Sequence, residues 1–124
     1  MWGGNNYVEV ETVKLDDYFE NKNFKVDLIK MDIEGAEGLA LEGMQEILKE
    51  NKDIKILSEF TPGALIKTGI SAENFLNNLA NMGFSMYEII ERVDKINLKK
   101  VYPLQFTKFV LQIIGNTNIF CKRE

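Results

Sequence analysis

The sequence predicts an α/β fold built on parallel strands, and three observations carry that prediction. Val26 to Met31, VDLIKM, is dominated by large apolar side chains, as expected of a strand buried on both faces of a sheet. The period then turns helical. Ala36, Leu39, Ala40, Gly43, Met44, Ile47 and Leu48 fall on one helical stripe, and Glu37, Glu42, Gln45, Glu46, Lys49 and Glu50 occupy the other face. After that helix, DIKILSEF brings a second run of β-branched and aromatic residues, Ile54 to Phe60. Strand, helix and strand in this order imply a right-handed crossover, with the two strands parallel and adjacent.

Taken in order, the chain opens on a loose Gly- and Asn-containing lead-in and then alternates, with Val8 and Val10 on one side and Glu9 and Glu11 on the other, which predicts a half-buried strand over 7–13. The glycines of MWGG lack the preceding strand and following helix that a phosphate loop requires. LDDYFENKN reads as a helical turn with Leu15, Tyr18 and Phe19 as its apolar side. The strand VDLIKM, the turn DIEG and the helix 36–50 follow, then the strand ending on Glu59. TPGALIKTGI reads as a loop turned by Pro62-Gly63. Ser71 suits the N-cap of a helix carrying Phe75, Leu76, Leu79 and Ala80, and Gly83 stands at the expected C′ position. FSMYEIIE is a third strand, RVDKINLKK a polar loop, and TNIFCK a closing strand. PLQFTKFVLQIIG suits either a helix starting at Pro103 or a strand; the spacing of Phe106, Phe109, Val110, Ile113 and Ile114 favours the helix.

Composition bounds the function. A chain of 124 residues with 45% hydrophobic and 27% charged residues folds as one domain or part of one, 1–124. A net charge of -4 opposes a nucleic-acid surface, which needs clustered Lys and Arg, so small molecules or proteins are the expected partners. No apolar run reaches the roughly 18 residues of a membrane span or follows a basic leader, which makes a cytoplasmic location the default and a membrane partner unexpected. The single cysteine, Cys121, excludes an internal disulfide and reads as a small buried hydrophobe; Tyr87 and Trp2 read as packing residues. With no histidine, the commonest general base and zinc ligand are missing, and chemistry falls to carboxylates, Lys, Tyr or polar groups.

The acidic turn is where that chemistry gathers. Asp32 and Glu34 lie at the carboxyl end of a strand and the amino end of a helix, where open α/β sheets place their ligands. One reading makes Asp32, Glu34 and Glu37 helix-capping charges, each contributing about 0.3–1 kcal/mol. The other starts from Glu59, which ends the next strand; neighbouring strands about 4.8 Å apart bring Asp32 and Glu59 to one rim. There they can act as a general base or hold an ion such as Mg2+. Lys30, just before the turn, can pair with Asp32 or Glu34.

IKMDIEGAE, followed by LEGMQEILKE, ILSEF and NTNIFCKRE, resembles the carboxyl-terminal half of the FkbM-type methyltransferases, over roughly Val8 to Lys122. The resemblance implies a Rossmann-like class I methyltransferase sheet, with parallel strands plus a terminal antiparallel pair formed by the last two strands. It implies methyl transfer from S-adenosylmethionine to an oxygen of a small-molecule acceptor, often a sugar or natural product; Asp32, Glu34 and Glu59 are the candidate catalytic acids by their position at the strand ends. It places Asp32, Ile33, Glu34 and Gly35 against the cofactor or acceptor, and some class I O-methyltransferases bind a divalent metal through acids at these two strand ends, here Asp32 and Glu59. The family's cofactor signature is an acidic, glycine-rich strand-turn followed by a ribose-binding acid. It normally lies upstream, and no segment of this chain corresponds to it. The expectation is a partial domain, inactive and weak in cofactor binding by itself, whose strand 26–32 has an open edge prone to homo-oligomerise. The alternative is a non-catalytic α/β interaction module.

Overall fold

The computed structural model describes residues 6–23 and 25–124; the lead-in MWGG and Trp2 lie outside them. Five strands form one sheet: β1 (Leu28–Met31), β2 (Lys55–Phe60), β3 (Ser85–Arg92), β4 (Lys95–Val101) and β5 (Thr117–Lys122). They lie in the order β1-β2-β5-β3-β4. β1 and β2 are adjacent and parallel, with Met31 opposite Ser58, as the crossover argument requires. β3 and β5 are antiparallel, with Met86 opposite Cys121, but theirs is one of three antiparallel pairings, since β5 also pairs β2 and β3 also pairs β4.

The RVDKINLKK segment is therefore a strand and not the loop its polarity predicts. Val93 and Asp94 turn a tight hairpin, and β4 carries Ile96 and Leu98 on one face and Lys95, Asn97 and Lys99 on the other. Lysines on an edge strand discourage pairing with other chains, which is why the pattern looks like solvated loop. Residues 6–14, in contrast, form no strand, and Val8 and Val10 are exposed. Alternation there has no neighbouring strand to pair with.

The helices are α1 (Leu15–Phe19), α2 (Glu37–Glu42), α3 (Gln45–Glu50), α4 (Pro62–Leu65), α5 (Ala72–Asn81) and α6 (Pro103–Phe109). The helix expected over 36–50 breaks at Gly43 and Met44. Asp16, 30 residues away, supplies the cap that restarts it: its carboxylate accepts the backbone N–H of Glu46 (3.1 Å) and Ile47 (3.0 Å). The buried stripe runs through Leu41, Met44, Ile47 and Leu48, while Leu39, expected in it, is 48% exposed. TPGALIKTGI is helical, α4 continuing into a 3-10 turn over Ile66–Thr68, because Pro62 suits the first helical position and Gly69 ends the segment at φ +90°. In α5 the Ser71 hydroxyl accepts the Asn74 N–H at 3.1 Å, and Gly83 follows at φ +88°. α6 is the helix favoured above, running into a π turn at Val110–Ile114.

The helices cover one face of the sheet. Met31, Ile56, Phe60, Met86, Ile119 and Cys121 pack there against α2, α3, α5 and α6, and Phe60 stacks on Phe75 and Phe106 with centroids 6.5 and 5.3 Å apart. Burial pushes the Cys121 thiol up to about 12, consistent with an inert packing residue. Arg123 fastens the far end: its guanidinium lies over the Phe84 ring and donates to the carbonyls of Leu48 and Asn51 at the end of α3 and of Met82 at the end of α5. Tyr87, expected only to pack, also donates its hydroxyl to the Glu124 carboxylate. The opposite face carries Leu28, Leu57, Ile89, Leu98 and Phe120 with no helix of the described residues over it. Among the described residues β1 pairs on one side only, and it is not buried on both faces: Leu28 and Lys30 are exposed.

Candidate functional site

The turn after β1 is tight and conformationally costly. Glu34 has φ +57°, a left-handed conformation that carries roughly 1 kcal/mol of strain in a residue with a side chain, and Gly35 follows at φ +100°. Two clasps hold it. Glu37, expected on the solvent face, is buried and accepts the Ile33 N–H at 3.0 Å, while the Thr68 hydroxyl donates to the Gly35 carbonyl at 2.9 Å. The Gly35 backbone lies against Ala64 of α4 so closely that a Cβ would stand 2.6 Å from the Ala64 carbonyl oxygen. The segment after β1 is thereby locked to the segment after β2.

The parallel register of β1 and β2 sets Asp32 beside Glu59. Asp32 continues the parallel register one step beyond Met31↔Ser58, and both carboxylates face the helix-free side of the sheet. They border a cleft of about 460 Å3. Lys30, Leu57, Asn118 and Phe120 form its floor, and Ile89, Glu91, Ile96 and Leu98 of the β3–β4 hairpin form its far wall. Lys30 makes no ion pair among the described residues.

Partial burial pushes the Glu59 carboxyl above the usual carboxylate range, and the charges of Asp32 and Glu34 push it the same way. Thr61 opposes the shift; its hydroxyl is buried close by, without a well-formed hydrogen bond. Folding thus favours protonated Glu59, which supports the native state below the ordinary carboxylate range and opposes it as pH rises through the raised folded value. Glu59→Gln is expected to raise the urea midpoint at about pH 7 and to lose that gain toward about pH 4. An equal effect at both pH values would show that Glu59 is unshifted.

Of the predicted site residues, the structure brings Asp32 and Glu59 together, with Glu34 near enough to act on Glu59 by charge. It does not gather Asp32, Ile33, Glu34 and Gly35 on one surface. Ile33 faces a separate groove with Val13 and Leu39, and Gly35 is buried. Among the described residues no three Asp, Glu, Cys or His side chains converge to hold a metal, so Asp32 and Glu59 would be an ion's only acidic ligands. Sequence reasoning missed Glu91, Asn118 and the hairpin wall; the Ile96/Leu98 alternation was the signal for the last. No helix of the described residues is long and apolar enough to cross a membrane.

The fold is a mixed α/β domain with a five-stranded open sheet, and acids at the carboxyl ends of its two parallel strands border a cleft of small-molecule size. The chain belongs to the methyltransferase FkbM domain family, whose model matches residues 3–86, more than half of the 124. Comparison with curated proteins and with solved structures finds no match. Membership makes the chain a methyltransferase at the family level. Lys30, Asp32, Leu57 and Glu59 lie inside the matched span, whereas Ile89, Glu91, Ile96, Leu98, Asn118 and Phe120 lie beyond it.

Proposed function

We propose that this chain is the acceptor-side half of a class I-type methyltransferase that moves a methyl group from S-adenosylmethionine to the hydroxyl of a small molecule such as a sugar or natural product. The juxtaposition of Asp32 and Glu59 at the mouth of the cleft carries this reading. A hydroxyl must shed its proton as the methyl arrives, and Glu59, with its pKa drawn up from the usual carboxylate value, is suited to take it while Asp32 orients the acceptor. When bound, the cofactor supplies an electrophilic methyl group. The described residues fit that cofactor only at its margin: Asp32 is exposed at the rim, Ile33 turns to another groove, and the irregular residues 6–14 provide no glycine-rich strand-turn-helix. The chain's own contribution is to hold the acceptor and receive its proton.

Titration calorimetry of the 124-residue chain with S-adenosylmethionine is expected to show no binding in the micromolar range, since two or three missing charge-assisted hydrogen bonds at about 1.5–3 kcal/mol each weaken affinity by several powers of ten. A micromolar constant would overturn the half-site reading. In a protein that also carries the cofactor half, Asp32→Asn and Glu59→Gln should each lower kcat about 10²–10⁴-fold while leaving cofactor affinity nearly unchanged. Unchanged kcat in both would remove the carboxylates from the chemistry.

A second reading, an interaction module, is favoured by the outer edge of β1, which no strand of the described residues pairs. The unpaired backbone of Leu28–Met31 offers a second copy of the chain a strand to pair with. Light scattering on the isolated chain should then give a mass above 14.2 kDa; a clean monomer at micromolar concentration would count against self-association.

A further inference from the structure

Building on the reading of the cleft as an acceptor site, we infer that the β3–β4 hairpin is the wall that selects the acceptor, and that it selects a hydroxyl compound with an apolar face and no anionic group. The cleft divides at the boundary of the family match. The acids at the rim, Asp32 and Glu59, belong to the matched span, and the hairpin belongs to the part of the chain beyond it. The acids and the hairpin's aliphatic side chains thus line opposite parts of one cleft.

The hairpin's side is apolar but not uniformly so. Ile96 and Leu98 are 68% and 51% exposed, a large amount of aliphatic surface to leave open on one strand, and both turn toward the cleft beside Ile89. Phe120 continues this surface across the floor. A ring with one apolar face covers such a floor and wall and releases water from them. Glu91, opposite Ile96 in the hairpin register, adds a third carboxylate to Asp32 and Glu59, against the single ammonium of Lys30. Hydroxyl groups satisfy carboxylates as donors, and the Asn118 amide both donates and accepts. A carboxylate or phosphate on the acceptor would instead meet three like charges with one counter-charge.

Two probes that differ only at C6, hydroxymethyl in one and carboxylate in the other, test the inference, and Glu91→Gln separates the charge from the lost hydroxyl. Amide chemical-shift titration of the 124-residue chain with p-nitrophenyl β-glucopyranoside and with p-nitrophenyl β-glucuronide should move residues of β2, β5 and the hairpin. The glucuronide should bind at least about tenfold more weakly, as its carboxylate is brought near half-buried Glu59 and exposed Asp32 and Glu91 together. Glu91→Gln, a substitution at an exposed position that leaves folding intact, should narrow that ratio at least about threefold. Leu98→Asp, also exposed, should weaken glucoside binding about tenfold. Equal or tighter glucuronide binding, a ratio unmoved by Glu91→Gln, or no binding of either probe at about 10 mM would overturn the inference. The glucoside preference without any methyl transfer in the cofactor-bearing protein would support the wall and overturn the transferase reading alone.

Discussion

Leu48→Ala is expected to lower the unfolding free energy by about 2–5 kcal/mol, read from denaturant midpoints at constant m-value. Leu48 is fully buried between α3 and the sheet, and truncation removes its side chain from a core that has little room to collapse: Met44, Ile54 and Leu76 are themselves buried in the same cluster. The backbone cannot follow easily, because the Leu48 carbonyl is held by Arg123 at 2.9 Å. Leu39→Ala is the matching control. Leu39 sits on the face that turned out to be half-open, and its truncation should cost under about 0.5 kcal/mol. Similar losses at the two positions would mean that α2 and α3 form the single uninterrupted helix that the periodicity suggests.

Gly35→Ala should destabilise by about 2–4 kcal/mol, through two separable causes. The left-handed backbone disfavours any Cβ by about 1–2 kcal/mol, and the new methyl would press on the Ala64 carbonyl, which is backbone and cannot rotate aside. Gly69→Ala isolates the first cause, because Gly69 has φ +90° and open space around it. The difference between the two variants therefore measures the contact. Relieving it requires α4 to move away from the turn, which is expected to open Glu59 to water and so to weaken the partial burial that is the main cause of its raised pKa. A carboxyl-resolved NMR titration of Gly35→Ala should show the Glu59 pKa falling back toward its ordinary value. A Glu59 value unchanged from the parent would show that the turn does not maintain that burial.

Local signals in the chain carried the parallel pair, α5 with its Ser71 cap and Gly83 stop, and the meeting of Asp32 with Glu59, because each rests on neighbouring residues or on adjacent strands. Contacts across long stretches of chain were not legible. The break between α2 and α3 depends on Asp16, and nothing around Gly43 announces a cap from that distance. β4 was hidden by its lysines, which an edge strand uses and a loop also displays, and with it the far wall of the cleft went unseen. Conversely, the alternation of Val8 and Val10 satisfied the pattern of a strand without a partner to make it one.

The position of β5 bears on how the molecule is made. It is the last of the described strands in chain order, yet it lies between β2 and β3 and joins them in the sheet. As the chain folds, β1, β2 and the helices between them can assemble as one unit and the β3–β4 hairpin as another, but the two are not joined in the sheet until Thr117–Lys122 slots between them. Arg123, arriving one residue later, then ties down the ends of α3 and α5. Until β5 docks, β2 and β3 each present an unpaired strand edge. The interval before closure is when the chain is most exposed to chaperones, to proteases and to other copies of itself.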